Sequence, residues 1–563
     1  MNTSFIRFRP RLFETFQTYD LATFFKDLIA GLTVGIVALP LAMAFGIGSG
    51  VKPEQGLYTA IIAGFLISFF SGSKVQIGGP TGAFMVILYN IMQKHGFSDL
   101  LLCGAIAGVI LVFMGVFRMG TLIKYIPYPI TSGFTSGIAV LIGLNQVKDF
   151  FGLKIEGGMP ADFFDKLEVL ARHFLTLDPT TTIFSALSLA VILLWPRLVT
   201  RRLPGSIIAL LLGTTVAVLI NLPVETIGTK FGGIPSGLPA FHAPEITFAK
   251  IKLLLPDAMT IALLAAIESL LCAVVADGLT GDRHDSNTEL VAQGIANIVV
   301  PFFGGIAATG AIARTATNIE NGGKTPIAGL IHAGTLLVIV LVAAPLAKSV
   351  PLAILSAVTI MVAFNMGEWH EFTRLRKMPR SDALVLVATF GLTVIMDLTV
   401  AVEVGMVMAA FLFIKRVSET TQITKVTPES EPEGAHHSLI GKDVPSGVMV
   451  YRIYGPFFFG AAEKMEEAFE SIYDLPRVLI LKMHTVPAMD ATALNALESL
   501  YEKLQSRGCH LILSAPHTQP FFMMTQAGFI DRLGAENVTA DLDDALTRSK
   551  WLLAASVKNP HAK

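Results

Sequence analysis

The sequence predicts an α-helical polytopic membrane protein of about fourteen spans, two of them short, followed by a C-terminal α/β domain. Three observations carry this expectation. The 563 residues are 53% hydrophobic and only 15% charged, with a mean hydropathy of +0.63, whereas soluble domains run at about 25% charged. Apolar stretches recur over residues 27–416, after which the composition turns polar and strand patterns alternate with helix patterns. Finally, two Gly-rich runs, Gly78-Gly79-Pro80-Thr81-Gly82-Ala83 and Gly304-Gly305-Ile306-Ala307-Ala308-Thr309-Gly310-Ala311, each lead into an apolar helical segment.

Residues 1–26 are polar and basic (Arg7, Arg9, Arg11, Lys26) and read as a cytoplasmic N-terminal segment. The apolar run that follows lacks a small-residue cleavage site, so it reads as a retained first span and not as a signal peptide. Within a transport domain of residues 27–416, apolar segments fall at 27–47, 57–71, 81–93, 99–117, 126–147, 181–196, 206–221, 257–276, 289–303, 311–320, 326–346, 351–366, 382–396 and 398–414. An even count puts both termini on one side. Basic groups follow alternate spans: Lys74, Arg118 with Lys124, Arg197 with Arg201 and Arg202, Arg374 with Arg376, Lys377 and Arg380, then Lys415 and Arg416. By the positive-inside rule these faces, and both termini, are cytoplasmic.

The two Gly-rich runs open the third and tenth segments, equivalent positions if seven spans are repeated. An odd repeat length inverts the second copy, so two half-helices can point their N-termini at one midplane point from opposite sides. Clustered Gly and Pro interrupt a helix, leaving first-turn N–H groups and the positive dipole end for an anion. A single Gly-rich stretch is often only a close-packing site; two in matched positions form a stronger signal. Thr81, Gly82 and Ala83 at the first start, and Ala313, Arg314 and Thr315 at the second, are the candidate substrate-binding residues.

Glu268 lies in the middle of an apolar span, where an ionised carboxylate costs roughly 2.5 kcal/mol or more. It therefore needs a cavity or a partner and is a candidate for a coupling proton; the bland alternative is a structural ion pair. Arg314, about one turn into the second broken helix, supplies a lasting positive charge that enriches anions, or serves as the partner of Glu268. Cys272, one turn after Glu268, either lines the same cavity or packs. His332 reads as a hydrogen-bonded packing residue, and Ser286 to Glu289 as a capping box.

Cys103, Cys272 and Cys509 form no CxxC pair, so neither a disulfide framework nor a metal site is expected, and no cofactor is. No Walker motif supports ATP-driven transport, and no set of nucleophile, base and oxyanion donors supports an enzyme. The net charge of −1 averages membrane and soluble parts and names no partner; no nucleic acid is expected.

Residues 417–445, with Pro428-Glu429-Ser430-Glu431-Pro432-Glu433-Gly434, read as a linker. In the domain at 446–563, Val448–Ile453, Val478–Met483 and His510–Leu513 read as strands, and Ala461–Ile472, Ala491–Gln505 and Gln519–Ala527 as helices.

Several stretches resemble the SulP anion transporters, the sulfate-permease family. They are Asp27-Leu-Ile-Ala-Gly-Leu-Thr-Val-Gly-Ile-Val-Ala-Leu-Pro-Leu-Ala-Met-Ala44, Glu268-Ser-Leu-Leu-Cys-Ala-Val-Val-Ala-Asp277, Asn287-Thr-Glu-Leu-Val-Ala-Gln-Gly-Ile-Ala-Asn297 and Phe303 through Thr317. Within that family the chain looks most like the bacterial aerobic C4-dicarboxylate branch. The tail resembles a STAS domain, through Val486-Pro-Ala-Met-Asp490-Ala-Thr492-Ala-Leu494. The resemblance implies fourteen spans as a 7+7 inverted repeat, with a core of spans 1–4 and 8–11 and a gate of spans 5–7 and 12–14, a homodimer and elevator-like movement in the bacterial inner membrane. It implies an anion site at Thr81, Gly82, Ala313 and Arg314 with Glu268 close by. Sodium-using bicarbonate carriers of the family have Asp at the Glu268 position; Glu here, with Cys272 nearby, favours a proton over sodium. Thr492 aligns with the position phosphorylated in soluble STAS relatives, although Ala491 and Ala493 depart from their Ser and Gly, and Asp490 and Thr492 are candidate regulatory residues for a soluble cytoplasmic partner. The function implied is proton-coupled uptake of a small anion, a dicarboxylate such as succinate or fumarate, with sulfate or bicarbonate as the alternative. A membrane anion sensor signalling through the STAS domain is a second class.

Overall fold

The computed structural model describes residues 8–558 other than 17–18, 122–126, 156–158, 161, 200–203, 236, 238, 242, 397, 428–438, 440 and 471–475. The chain folds as two compact units, Met1–Val407 and Met408–Lys563.

The first unit runs α1 (Arg11–Thr15), α2 (Leu21–Gly48), α3 (Pro53–Phe70), β1 (Gly78–Gly79), α4 (Gly82–Val116), α5 (Tyr128–Phe151), α6 (Phe163–His173), α7 (Pro179–Leu198), α8 (Gly205–Leu219), α9 (Ile227–Phe231), α10 (Phe248–Thr280), α11 (Ser286–Val299), β2 (Thr309–Gly310), α12 (Ile312–Glu320), α13 (Pro326–Ala347), α14 (Leu352–Met366), α15 (Trp369–Arg374) and α16 (Arg380–Ile395), then enters α17 (Leu398–Thr420). Each apolar stretch of the sequence lies in a helix. Among the described residues, seven helices are long and apolar enough, by length and composition, to cross a membrane. The third and fourth stretches form one continuous element broken at Gly96, whose φ of 79° and ψ of 178° kink α4. Gly accepts that conformation without a Cβ penalty. Elements additional to the sequence reading include the short α1 and α15, the two-residue strands β1 and β2, α6, an amphipathic helix in the 148–180 loop, and the single-turn α9.

Helix packing follows the exchange that a seven-element repeat demands. The pair α2 and α13 has its counterpart in α10 and α4, α3 and α13 in α11 and α4, and α5 and α16 in α14 and α7. A continuous buried core runs from Ala38 and Phe45 of α2 through Phe84 and Leu88 of α4 to Ala262 and Ala266 of α10. Large apolar side chains such as Phe113, Leu187, Leu211 and Val342 remain exposed on the outside of the bundle. In a bilayer, that exposure is solvation by lipid.

The second unit carries a five-stranded sheet in the order β3 (Gln422–Lys425), β4 (Val448–Tyr454), β5 (Val478–Thr485), β6 (His510–Ser514) and β7 (Val538–Thr539), antiparallel at β3 and parallel beyond. Alternation along β5 sends Leu479, Leu481 and Met483 into one core with α19 (Ala491–Ser506), and Val478 and Ile480 into another under α22 (Leu542–Lys558). Between them run α18 (Phe459–Glu470), α20 (Thr518–Gln526) and α21 (Phe529–Leu533). Burial on both faces is what parallel strands require. The stretch read as a linker begins with the end of α17 and then β3, in which Ile423 pairs with Ile453; its Pro428–Gly434 run lies outside the described residues.

Candidate anion site

Gly78 pairs with Gly310 and Gly79 with Thr309 in a two-residue antiparallel ladder, extended by Ala311 N–H donating to Ile77 O at 2.8 Å. The antiparallel sense sends the following helices in opposite directions. Thr81 is the N-cap of α4 and Ala311 that of α12, and neither side chain makes a capping hydrogen bond among the described residues. Two uncapped helix starts therefore flank one strand pair, bringing their first-turn N–H groups together.

Irregular backbone at this depth needs polar partners within the protein, and buried side chains supply them. Thr59 Oγ1 accepts from Ile306 N–H at 2.7 Å. Asn297 clamps Ala308, accepting from its N–H and donating to its carbonyl, both at 2.8 Å. Asn318 donates to Val75 O at 2.8 Å, Gln76 to Ser269 O at 3.2 Å and Thr309 to Ala265 O at 3.0 Å. The sequence reading missed these roles for Thr59, Gln76 and Asn318. A polar residue of helical spacing in an apolar span is the available signal, but only the fold says which backbone group it meets.

Arg314 is 2% exposed. Its Nη2 donates to Pro80 O at 2.9 Å, so the guanidinium of the second helix braces the entry to the first. Its Nη1 has no partner among the described residues and occupies the place a Cβ on Gly79 would fill. Glu268, on α10, accepts from the Thr81 hydroxyl at 2.9 Å. The described partner of Glu268 is thus Thr81 and that of Arg314 is Pro80, not one another.

Thr81, Gly82, Glu268 and Arg314 converge around the strand pair. A Cβ on Gly82 would lie 3.2 Å from Ile142, 3.6 Å from Phe45 and 3.7 Å from Met366, so α2, α5 and α14 meet over this helix start. Ala313 is exposed in the first turn of α12, whereas Ala83 and Thr315 are buried. The Thr315 hydroxyl is a brace, accepting from Ile77 N–H at 3.0 Å and from the Cys272 thiol at 3.2 Å. Cys272 is therefore a packed, buried side chain.

Two structural expectations change. The N-cap of α11 is Asp285, which accepts from Asn287 and Thr288 N–H. The Glu289 carboxylate instead accepts from Ser71 Oγ at 2.6 Å and Gly72 N–H at 2.9 Å, just past the end of α3, and from Gln293 Nε2 of its own helix at 2.7 Å. His332 is fully buried as a packing residue, but neither ring nitrogen has a partner among the described residues. It fits against Gly64, where close approach leaves no polar neighbour in hydrogen-bonding geometry. In the second unit Asp490 caps α19, accepting from Ala493 N–H at 2.8 Å and from Phe459 N–H at 3.0 Å. Thr492 is exposed in the first turn.

The profile of the sulfate permease family matches residues 24–389, and that of the STAS domain residues 440–545. YvdB of Bacillus subtilis (strain 168), provisionally named a sulfate transporter, is 43% identical over 93% of this chain and 97% of that protein. The bicarbonate transporter BicA of Picosynechococcus is 31% identical over 88% of this chain and 89% of its own length. Among solved structures, the transmembrane domain of a cyanobacterial BicA superposes with a TM-score of 0.61 at 31% identity, over 70% of this chain and 98% of that one. SLC26A9 gives a TM-score of 0.83 at 18% identity, covering 98% of this chain and 94% of its own, a likeness of fold.

Proposed function

The chain belongs to the sulfate permease family of anion transporters, and from that premise we propose that it takes up a small anion together with a proton, Glu268 being the coupling group. The observation that carries the reading is the 2.9 Å hydrogen bond between Thr81, at the start of α4, and Glu268. An anion held by the two helix starts meets fixed positive charge from Arg314 and the two dipole ends. A carboxylate one hydrogen bond away repels it when ionised and tolerates it when neutral, so protonation and anion binding favour one another. The absence of an ion pair between Glu268 and Arg314 among the described residues supports this division of roles.

The substrate class proposed is a C4-dicarboxylate such as succinate or fumarate. The crossing of α2, α5 and α14 over Gly82 supports an elevator-like carrier in which the helix starts move against a gate. We place it as a homodimer in a bacterial inner membrane with both termini cytoplasmic, following the basic loops.

A second reading is sulfate or bicarbonate transport, favoured by the names of the relatives at 43% and 31% identity. Two helix starts and one guanidinium accept a carboxylate or a sulfate on the same terms. Uptake into proteoliposomes of labelled succinate, fumarate, sulfate and bicarbonate, each under an imposed pH or sodium gradient, separates the readings. Succinate accumulation driven by the pH gradient supports the first; accumulation of sulfate or bicarbonate alone replaces the substrate, and sodium drive alone replaces the coupling ion.

A further inference from the structure

A cavity of about 610 Å³ opens between α2, α3 and α4 on one side and α5 and α9 on the other. It starts where the helices leave the anion site. Phe45 and Ile142 lie over Gly82, and Gly48 and Asn145, about one turn further along the same helices, are already in the cavity wall. Tyr89, about two turns beyond Gly82 on α4, is also in the wall. Phe45 and Ile142, which pack over Gly82, thus lie about one turn short of the cavity wall along α2 and α5.

The charged residues in the wall are Lys52, Lys148, Lys230 and Asp149. Lys230 is tied to Asp149 at 3.1 Å and to Glu225 at 3.7 Å. Lys148 Nζ donates to the Ile155 carbonyl at 3.3 Å; Glu156, next along, lies outside the described residues. Lys52 is exposed and has no ion pair among the described residues. The nearest acid to it in sequence, Glu54, is 8% exposed and is not part of the wall. Neutral donors are present too: Gln55 and Gln146 line the same space, and the Asn145 Nδ2, buried on the wall, has no partner among the described residues. A buried amide donor without an acceptor is costly and points to a ligand or water that supplies one.

We propose that this cavity is a second anion station, a mouth in which Lys52 and Lys148 collect a carboxylate or sulfate and the Asn145 amide receives it before the path over Gly82 opens. With Lys230 offset by Asp149, Lys52 and Lys148 leave the wall net positive, and a cleft of net positive charge raises the local concentration of anions and accelerates their capture. The electrostatic gain is screened by salt, with a Debye length of about 10 Å at 0.1 M. The ligand class rests on the anion-carrier reading; the charge of the wall does not, and the test reads the wall directly.

The test uses purified full-length protein in detergent carrying Met159→Cys, a wall residue whose backbone carbonyl, the acceptor for Tyr89, is retained. Phe97→Cys gives a second reporter elsewhere in the wall. The natural cysteines are buried and give little background. Two thiosulfonate reagents are compared, one carrying a sulfonate and one a quaternary ammonium; in each, the thiolate attacks the reagent's sulfenyl sulfur, a mixed disulfide forms and methanesulfinate leaves. At low ionic strength the anionic-to-cationic rate ratio is expected to exceed that of a free thiol at least fivefold. It should collapse toward the free-thiol value at 0.5 M salt, and in a Lys52→Gln, Lys148→Gln background. In uptake assays the same background should raise KM three- to tenfold with kcat within about twofold. A ratio equal to that of a free thiol at both reporters, or one the lysine substitutions leave unchanged, overturns the station. The expected ratio pattern in a native protein that takes up none of the tested anions would count against the carrier reading alone.

Discussion

The Thr81 hydroxyl, at the N-cap of α4, donates to the Glu268 carboxylate across 2.9 Å, tying the start of one broken helix to the one acid that the sequence places in the middle of a span. Thr81→Val keeps the shape and removes the donor. A hydrogen bond of this kind contributes about 1–3 kcal/mol. Proton-driven uptake is expected to slow about tenfold while anion affinity stays within about threefold, and Thr81→Ser should restore the rate. Uptake kinetics beside equilibrium binding check this.

Arg314 braces Pro80 and carries the buried charge nearest the strand pair. Arg314→Ala should weaken anion binding at least tenfold, about 1.4 kcal/mol, and Arg314→Lys should recover only part, because a point charge cannot both reach Pro80 and keep the planar fork. Isothermal titration with the transported anion measures both. Unchanged affinity in the alanine variant removes Arg314 from the site.

Gly79 and Gly96 separate two costs. Gly79 has φ of 152° and faces Arg314 Nη1, so an added Cβ meets both backbone strain and a fixed side chain; Gly96 has φ of 79° with nothing within 4 Å. Gly96→Ala should cost about 1–3 kcal/mol from the backbone alone, because φ of 79° with ψ of 178° is a region that only Gly adopts readily. Gly79→Ala should cost about 2–4 kcal/mol and also weaken anion binding by displacing Arg314. Thermal unfolding with and without substrate distinguishes them.

These two glycines mark what the sequence disclosed and what it withheld. The Gly-rich runs, the mid-span acid and Arg314 announce themselves because Gly clusters and charges are costly inside apolar helices, and their seven-element spacing makes the opposed geometry foreseeable. The pairing of Gly78 with Gly310 was not foreseeable, since two-residue strands have no periodicity. Nor was the choice between an Arg314–Glu268 pair and separate partners, which depends on side-chain reach. Glu289 fitted a capping-box spacing, but a competing set of donors at Ser71 and Gly72 claimed it. In the tail, alternation revealed β4, β5 and β6, whereas β3 is four mostly polar residues that look like a linker.

Lys166, in α6 outside the spans, is 2% exposed and sits 5.7 Å from the Tyr89 ring centroid. Burial pushes its ammonium down to about 8 from the ordinary 10.5. Between those values the unfolded chain holds a proton that the folded chain does not, so stability should rise as pH goes from 8 to 10.5 and be lowest below 8. The full effect is roughly 3 kcal/mol. Lys166→Met should raise Tm at pH 7 and flatten this slope, as followed by thermal unfolding from pH 7 to 10.5.

The coupling role of Glu268 is tested most directly by accumulation of labelled succinate in proteoliposomes under an inward proton gradient, comparing the native protein with Glu268→Gln, beside gradient-free exchange of the same anion. The account predicts that the substitution abolishes accumulation, at least tenfold, while exchange persists within about threefold. Equal accumulation by the two proteins, or accumulation that follows an imposed sodium gradient and ignores pH, contradicts it.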